Sequence, residues 1–413
     1  MPVIDTTRGD LLKIFQAGVN RVGGRSVVWD CLKGLEGDAS FGLVAVGKAA
    51  GAMSMGALDA LGGRISGGLV ISKTGHLDIE SLRRFGLTGL EGGHPVPNEN
   101  SLAAGRALMA YLNELPPRQP LLFLISGGAS ALVEVLNEGV GLDDLRSVNQ
   151  WLLANGLGIT HMNLVRKALS RIKGGKLLGY LGSRPVTALL ISDVPGDDPA
   201  VIGSGMLVPD PGAREALAAL TLPDWIQRLT KSGESSIPTD APNLELRILA
   251  TLRDAREAAG EEARRLGYAT RVEHAFIDAE AENAGRRLAL ELLDALPGVY
   301  IWGGEPSVQL PEHPGRGGRN QHLALSAATV IDGRDDICFL SGGTDGTDGP
   351  GEDAGALVDG GTLGRARRAG YEPLDTLARA DAGSLLEASG DLVHTGPTGT
   401  NVMDLMIGIR VDT

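Results

Sequence analysis

Residues 41–61 read FGLVAVGKAAGAMSMGALDAL, and this stretch contains the unit from which the fold is built. Its apolar run ends at Gly47, and a helical pattern of small and apolar residues follows Lys48. The runs LLFLI and VTALLIS end in the same way, at the turns SGGASAL and DVPGDDP. Apolar runs without polar alternation are typical of strands that helices cover on both faces. Repeated strand–turn–helix units predict an α/β fold with an open, doubly wound, mostly parallel sheet.

A polar segment, KSGESSIPTDAPNL, separates this series of units from a second one. Its prolines and small polar residues are typical of an exposed linker, so we place a boundary near residue 235. The prediction is an N-terminal domain of residues 1–235 and a second, smaller α/β domain of residues 236–413, which ends in the strand pattern DLMIGIRV. Ligands of open parallel sheets bind beyond the carboxyl ends of the strands, where the glycine-rich turns lie. With two domains, we expect the active site in the cleft between them.

The composition excludes several classes of protein. The chain has 413 residues, and its 38 basic and 51 acidic side chains leave a formal net charge of -13. Because no basic run offsets this charge, nucleic acid is not an expected partner. The two cysteines, Cys31 and Cys338, exclude a disulfide framework and fit a reducing cytosol, and no apolar run is long enough to span a membrane. With no secretory signal visible, we predict a cytoplasmic enzyme with no membrane partner.

Lys48 follows the first strand in the sequence GLVAVGKA, which is similar to the phosphate-binding pattern G-x-x-x-x-G-K-[ST]. Ala49 replaces the hydroxyl residue that would bind magnesium, and LVAV must be a strand rather than a loop. We therefore expect the strand to deliver Lys48 to the N-terminus of a helix, where the dipole and free amides attract an anion. An ordinary surface lysine is the alternative.

Two more turns in the first half carry candidate binding residues. In SGGASAL, closely spaced amides and a hydroxyl can contact an oxyanion, although a structural turn is the alternative. In HPVPNENS, Asn98 is a candidate, with a role as the cap of the following helix as the alternative. The candidates in SGGASAL are Ser126, Gly127, Gly128, Ala129 and Ser130.

The segment ISDVPGDDPAVIGSG places Asp193 at the carboxyl end of a strand. An acidic group there can hold a divalent cation or accept a proton from a substrate hydroxyl, and these two roles stay open. Gly203 and Ser204, in the turn that follows, are candidates for substrate or phosphate binding. Asp197 and Asp198 are read as solvated loop acids.

The second half carries four further motifs at glycine-rich turns. Arginine beside paired glycines at a helix start suits a carboxylate or phosphoryl group, and GRGGRNQ offers Arg316 and Arg319, with a solvated basic turn as the alternative. In SGGTDGTDGPGEDAG, Asp345 and Asp348 are candidate ligands of a metal, together with Asp193. The remaining candidates for substrate or phosphate binding in these motifs are Glu305, Gly318, Asn320, Thr398 and Asn401.

Taken in order, the motifs VGKAA, HPVPNENS, SGGASAL, ISDVPGDDPAVIGSG, GGEPSV, GRGGRNQ, SGGTDGTDGP and GPTGTN resemble those of the class II glycerate 2-kinase family. The C-terminal region of that family is the MOFRL domain, and many members carry the name hydroxypyruvate reductase. The resemblance runs from about Asp10 to the end of the chain. It implies a Rossmann-like N-terminal domain and a smaller C-terminal α/β domain.

The resemblance also implies a reaction, the ATP-dependent phosphorylation of D-glycerate at its 2-hydroxyl to give 2-phosphoglycerate. ATP and Mg²⁺ or another divalent cation are the implied cofactors. The family's essential lysine falls on Lys48, its strand-end aspartate on Asp193, and the arginine of its GGRNQ motif on Arg319. Phosphoryl transfer needs in-line positioning and neutralisation of charge, which Lys48 and Arg319 would supply. Glycerate and ATP are the expected partners, and a homodimer is left open.

Three alternatives to this reaction remain. An NAD(P)H-dependent hydroxypyruvate reductase requires a dinucleotide fingerprint, and G-x-G-x-x-G is absent from the sequence. The nominal match at Gly349, Gly351 and Ala354 lies in an acidic loop, which would repel a pyrophosphate. The second alternative is a kinase for a related sugar acid, and the third is a ligand-sensing protein on a kinase-like fold. Zinc-binding and nucleophile-elbow patterns are also absent.

Overall fold

The structure, a computed structural model, describes residues 3–231 and 243–412. Most of the predicted linker, and with it the predicted boundary at residue 235, lies outside these residues. The strands are β1 (Phe41–Val46), β2 (Ile65–Lys73), β3 (Leu87–Gly92), β4 (Leu121–Ile125), β5 (Val186–Ile191), β6 (Leu244–Ala250), β7 (Thr270–Ile277), β8 (Gly298–Gly304), β9 (Ile337–Gly343), β10 (Gly355–Asp359), β11 (Leu392–Val393) and β12 (Asp404–Arg410).

The helices alternate with these strands along most of the chain, as the sequence predicts. They are α1 (Val3–Arg21), α2 (Gly24–Leu32), α3 (Ala50–Leu61), α4 (Ile79–Arg84), α5 (Glu99–Glu114), α6 (Ala129–Leu132), α7 (Leu142–Ala154), α8 (Ile159–Leu169), α9 (Ala213–Ala218), α10 (Asp224–Lys231), α11 (Leu252–Arg265), α12 (Ala281–Asp294), α13 (Arg319–Val330), α14 (Thr362–Arg368), α15 (Pro373–Ala378) and α16 (Ala382–Ser389).

The chain divides into two compact units, which differ from the predicted domains. The parallel-sheet unit is Gly24–Leu249, and the mixed-sheet unit combines Met1–Gly23 with Ala250–Thr413. The first helix therefore belongs with the C-terminal part of the chain, contrary to the prediction. Its packing explains this, because a Cβ at Gly18 would lie only 2.9 Å from the carbonyl oxygen of Ala255 in α11. No local feature of the sequence signals such a long-range contact.

The parallel-sheet unit contains a six-stranded sheet in the order β3-β2-β1-β4-β5-β6. The pairs β3–β2, β2–β1, β1–β4 and β4–β5 are all parallel, which confirms the predicted Rossmann-like, doubly wound sheet. All six residues of β1 and all five of β4 are buried, as expected for strands covered on both faces. The strand order reverses between β1 and β4, and ligands of such sheets bind at the carboxyl ends of these two strands.

The mixed-sheet unit contains a second six-stranded sheet, in the order β11-β10-β9-β12-β8-β7. Only the β7–β8 pair is parallel, and β12 runs antiparallel to both of its neighbours, β8 and β9. The predicted C-terminal strand is thus confirmed and lies in the middle of this sheet. Because β12 is reversed, its first residue lies beside the carboxyl ends of both neighbours, with Asp404 opposite Gly304 and Gly343.

A search of the described helices for a membrane span found no candidate, since none is both long and apolar enough to cross a bilayer.

Candidate active site

Lys48 lies at the point where the strand order of the parallel sheet reverses. Gly47, at the carboxyl end of β1, has a φ of 132°, and a Cβ there would lie 2.2 Å from the Oγ of Ser126, which follows β4. The Lys48 amide donates to the carbonyl of Gly127 at 2.9 Å, and the Ala49 amide donates to Ser126 Oγ at 3.0 Å. The absence of a side chain at Gly47 therefore allows the two turns to meet. This brings Lys48 and the SGGASAL turn together at the carboxyl ends of two parallel strands.

His94 is a third side chain at this place, and the sequence analysis did not include it among the candidates. It lies two residues beyond the end of β3, and Gly128 has a left-handed φ of 82°. A Cβ on Gly128 would lie 3.0 Å from His94 Cδ2 and 3.4 Å from Lys48 Cγ. The imidazole and the lysine stem therefore both lie next to this glycine. The signal that identifies His94 is its position, just after another parallel strand of the same sheet.

Two serine hydroxyls that are far apart in the sequence meet in this unit. Ser130 Oγ and Ser204 Oγ are 2.7 Å apart, a hydrogen bond across 74 positions of the chain. A Cβ on Gly203 would lie 3.3 Å from the Cβ of Ala129, so the two turns are in close contact. All four residues are candidates from the sequence, in which nothing indicates that the two turns meet.

Asn98 serves as a helix cap, the alternative that the sequence analysis left open. Its Oδ1 accepts the amide of Ser101 at 3.1 Å, and Ser101 Oγ accepts the amide of Asn98 at 3.1 Å. This reciprocal capping box satisfies two amide groups at the start of α5. It favours a structural role for Asn98 over the predicted contact with substrate.

Asp193 lies two residues beyond the end of β5, next to β4 in the sheet. It is half-buried, whereas Ser192 before it is fully buried. Because β1, β4 and β5 are parallel, the residues after all three strands lie at one edge of the sheet. Asp193, the Ser126 turn and Lys48 therefore share this edge.

In the mixed-sheet unit, Arg319 begins α13 and binds two carboxylates. Its Nε donates to Asp404 Oδ2 at 2.9 Å, and its Nη1 donates to Glu305 Oε1 at 2.8 Å. Burial opposes the charge on Arg319, but these two carboxylates raise the pKa of Arg319 above its usual value. Burial also opposes the charge on Asp404 and raises the pKa of that carboxyl group, whereas the charge of Arg319 acts to lower it. The guanidinium is a cation held in a fixed orientation, with about a third of its side chain exposed.

Asp404 is the residue of this site that the sequence analysis missed. It is 3% exposed and comes from the first position of β12. In the sequence, it appears only as the first letter of an apolar strand. Nothing local indicates that it contacts an arginine 85 positions away.

Asp348 caps α13 rather than standing free to bind a metal ion. Its Oδ1 accepts the amide of Asn320 at 3.0 Å, and its Oδ2 accepts the amide of Gln321 at 2.8 Å. The approach is so close that a Cβ on Gly318 would lie 2.4 Å from Asp348 Oδ1, so this position requires glycine. Burial raises the pKa of Asp348 to about 7, although the two amides favour its charged form. This geometry favours a capping role for Asp348, and metal binding by Asp348 stays a prediction.

The other predicted residues of this unit are engaged mainly with the protein itself. Asn320 Oδ1 accepts the hydroxyl of Ser341 at 2.6 Å, and Thr398 donates its hydroxyl to the carbonyl of Thr344 at 2.5 Å. Asn401 is 7% exposed. These contacts favour roles in holding the loops, and binding by these side chains stays a prediction.

Arg316, which the sequence offers beside Arg319 as an anion-binding residue, takes a different role. Its guanidinium contacts Asp353 at 3.1 Å and also pairs with Glu387. Its backbone amide donates to Asp381 at 2.9 Å. Arg316 therefore cross-links its loop to the neighbouring helix and acidic loop.

A metal site is not preformed in the part of the chain that the structure describes. No group of three or more His, Cys, Asp or Glu side chains there is arranged to hold an ion. Asp345 Oδ1 accepts both the amide and the hydroxyl of Thr347, at 2.9 and 3.1 Å. Magnesium usually keeps several waters and binds one or two carboxylates together with substrate phosphates. A magnesium site therefore stays a prediction, with Asp193 and Asp345 as candidate ligands.

Comparisons with known proteins agree with this arrangement of motifs. Residues 10–232 match the family described as a domain of unknown function, DUF4147, and residues 298–404 match the MOFRL family. The chain is 37% identical over 383 residues to a D-glycerate 2-kinase of Thermotoga maritima, which covers 89% of this chain and 90% of the relative. It is 38% identical to a putative hydroxypyruvate reductase of Agrobacterium vitis, over 88% of this chain and 85% of the relative.

A solved structure extends the likeness to three dimensions. The crystal structure of a glycerate kinase from Thermotoga maritima superimposes with a TM-score of 0.84 at 34% sequence identity. The match covers 98% of this chain and 100% of the other. The match therefore extends over nearly the whole chain.

Proposed function

The chain belongs to the class II glycerate kinase family, and on this premise we propose that it transfers the γ-phosphoryl group of ATP to the 2-hydroxyl of D-glycerate. The products are ADP and 2-phosphoglycerate. The observation that carries the proposal is the likeness to a D-glycerate 2-kinase along nine-tenths of both chains. The position of Lys48 supports it, because a cation beside glycine amides at the reversal of a parallel sheet suits a phosphoryl group.

The proposed chemistry makes few covalent demands on the protein. The bond between the γ-phosphorus and the bridging oxygen of ADP breaks, and a bond forms between that phosphorus and the 2-oxygen of glycerate. Catalysis then depends on positioning and on charge neutralisation, for which Lys48 and Arg319 provide the cations. Asp193 either orients the 2-hydroxyl and accepts its proton or contacts the magnesium ion. Glu305 and Asp404 carry negative charge, so they act by orienting Arg319.

The glycine-rich turns supply the remaining contacts in this proposal. The amides of Gly127 and Gly128 and the hydroxyls of Ser130 and Ser204 bind oxygens of the glycerate carboxylate or of the nucleotide phosphates. A magnesium ion bound to ATP would shield the phosphate charges at Asp193 or Asp345. The divalent cation, the cytoplasmic location and the homodimer stay predictions.

The experiment is an assay of the purified protein with ATP, MgCl₂ and D-glycerate, with ADP release as the readout. We expect ADP formation that depends on glycerate, and a product whose phosphorus couples to the proton on C2 in NMR spectra. NADH oxidation with hydroxypyruvate and no ADP release would establish the reductase instead. ADP formation with a tetronate or a tartrate-derived acid, but not with glycerate, would transfer the proposal to that substrate.

A further inference from the structure

A buried ion pair in the parallel-sheet unit has no task in the proposed reaction. The side chains of Glu134 and Lys173 are 1% and 3% exposed, and Glu134 Oε2 accepts a hydrogen bond from Lys173 Nζ. Glu134 Oε1 accepts the hydroxyl of Ser170 at 2.6 Å and the amide of Val135 at 3.0 Å. Burying both charges forfeits their hydration, so such a pair is weak evidence for a role in stability. Its satisfied and specific geometry indicates a role in fixing the position of what it joins.

Backbone hydrogen bonds join the loop that follows Lys173 to the turn that contains Ser204. The amide of Gly174 donates to the carbonyl of Ser204 at 3.0 Å, and the amide of Gly175 donates to that of Gly205 at 2.7 Å. Ser204 has a φ of 60°, which residues other than glycine seldom adopt. The neighbouring loop therefore has to hold Ser204 in this conformation.

The other member of the pair is connected to the same place through its own segment of chain. Glu134 lies two residues after α6, the short helix that contains Ser130. Ser130 Oγ is 2.7 Å from Ser204 Oγ. Contacts therefore run in a closed ring, from Ser130 through Ser204 and Gly174 to Lys173, then across the ion pair to Glu134 and back along the chain to Ser130. The ion pair closes the ring on the side away from the two hydroxyls.

We propose that Glu134 and Lys173 are positioning residues, which fix the Ser130–Ser204 hydroxyl pair so that it binds an oxyanion of a substrate. The inference rests on the proposed function and deepens it, since the oxyanion is either the carboxylate of glycerate or a phosphate of ATP. Both sources present the same chemistry, namely negatively charged oxygens that accept hydrogen bonds from hydroxyl groups.

The test replaces both members of the ion pair at once, so that neither is left without the other. The double variant Glu134→Leu/Lys173→Met fills the site with apolar side chains of similar volume, a change that proteins often tolerate. We expect the melting temperature to stay within a few degrees of the wild-type value and the KM of one substrate to rise about tenfold, with a smaller change in kcat. A rise in the KM of glycerate identifies the carboxylate, and a rise in the KM of ATP identifies a phosphate. Unchanged KM values for both substrates would overturn the proposal.

Two further variants keep the test decisive if the double variant does not fold. Lys173→Arg keeps the charge and changes the geometry, and Ser204→Ala removes only the hydroxyl. Each is expected to raise the same KM by several-fold, and unchanged KM values in both would contradict the proposal. Lys33→Arg is the matched control, because Lys33 is exposed and pairs with Asp30 in the same unit.

A measurement without substrates separates this inference from the proposed function. Amide hydrogen exchange at Gly174 and Gly175 is expected to accelerate at least tenfold in Lys173→Arg or in the double variant. If the wild-type protein does not phosphorylate glycerate, the proposed function is wrong, while the exchange rates still test the positioning role. Unchanged exchange in a folded variant would show that the ion pair does not hold the loop.

Discussion

The two polar sites of this chain position their cationic residues with different groups, backbone amides at one and carboxylates at the other. In the parallel-sheet unit, Lys48 lies among glycines and backbone amides at the ends of parallel strands. In the mixed-sheet unit, Arg319 is held by Asp404 and Glu305, carboxylates that converge from separate elements. Removing one member of the Arg319 ion-pair network leaves a charge unpaired, whereas the two turns at Lys48 are joined by backbone amides. The comparison therefore predicts that changes at the first site affect the rate alone, and changes at the second affect rate and stability together.

Lys48→Ala gives the largest expected effect. Removing one charge-stabilising interaction from a closed site typically costs about 10²–10³ in kcat, and a loss of at least this size is expected here. The melting temperature should stay close to the wild-type value, because Lys48 is half-buried and its backbone amide joins the two turns. Steady-state kinetics and thermal unfolding provide the measurements.

Lys33→Ala is the matched control for this prediction, since Lys33 is an exposed lysine of the same unit. It should leave both the rate and the melting temperature unchanged. A Lys48→Ala variant with a near-normal rate would show that the assignment of the lysine is wrong. A Lys48→Ala variant that loses activity because it unfolds would contradict the expectation that changes at this site affect the rate alone.

Asp404→Asn gives a smaller loss of rate and, in addition, a loss of stability. The substitution removes the charge that holds Arg319 Nε at 2.9 Å and leaves Glu305 as the remaining carboxylate on that side chain. We expect kcat to fall about tenfold, as the guanidinium is no longer held in one orientation. Loss of a hydrogen bond to a charged group costs about 1.5–3 kcal/mol, which should appear in the free energy of unfolding measured with urea.

The control for Asp404→Asn is Asp332→Asn, at a partly exposed ion pair with Arg367 in the same unit. Exposed pairs contribute about 0–1 kcal/mol, so this variant should unfold at nearly the wild-type urea concentration. Equal losses of stability in the two variants would mean that the buried Asp404 carboxylate stabilises the fold no more than an exposed ion pair does. The expected difference in stability between the two sites would then be absent.

The position of Lys48 and of the SGGASAL turn could be predicted from sequence, because each directly follows a recognisable apolar strand. In a parallel sheet, the residues after neighbouring strands share one edge, so a lysine after FGLVAV and a glycine pair after LLFLI are expected to meet. The second site depends on strand direction in a mixed sheet. Asp404 reaches Arg319 because β12 is antiparallel to both neighbours, and an apolar strand pattern does not reveal its direction.

The other differences from the predictions also come from long-range contacts. Residues 1–23 group with the C-terminal part of the chain, and not with the predicted N-terminal domain, because α1 packs against α11 at the far side of the predicted linker. Asp348 was predicted as a metal ligand because it lies in an acidic, glycine-rich loop, and only the fold shows that the loop reaches the N-terminus of α13. Residue type indicates what a side chain can bind, whereas the fold decides which partner reaches it first.

The third expected effect concerns pH, which acts on carboxylates and not on backbone amides. Burial raises the pKa of Asp348 to about 7 in the folded protein, from an ordinary value near 3.8. The folded state therefore holds a proton between about pH 4 and pH 7 that the unfolded state has released. The stabilisation linked to this proton is complete below about pH 4 and is lost as the pH rises through about 7. Relative to Asp348→Asn, which does not titrate, the wild-type protein should lose free energy of unfolding across this range.

Asp336→Asn serves as a control of opposite sign in the same unit. A side-chain hydrogen bond from Arg334 lowers the pKa of Asp336 below its usual value, so the stability it contributes is present above about pH 4 and is lost as the pH falls further. Urea unfolding at several pH values gives the free energy of unfolding of the wild-type protein minus that of each variant. This difference should decline from pH 4 to 7 for Asp348→Asn and stay level there for Asp336→Asn. A level curve for both variants would mean that the two amides on Asp348 outweigh its burial and keep the cap ionised. In that case, the stability contributed by the mixed-sheet site would not change between pH 4 and 7, as expected for a site built from backbone amides.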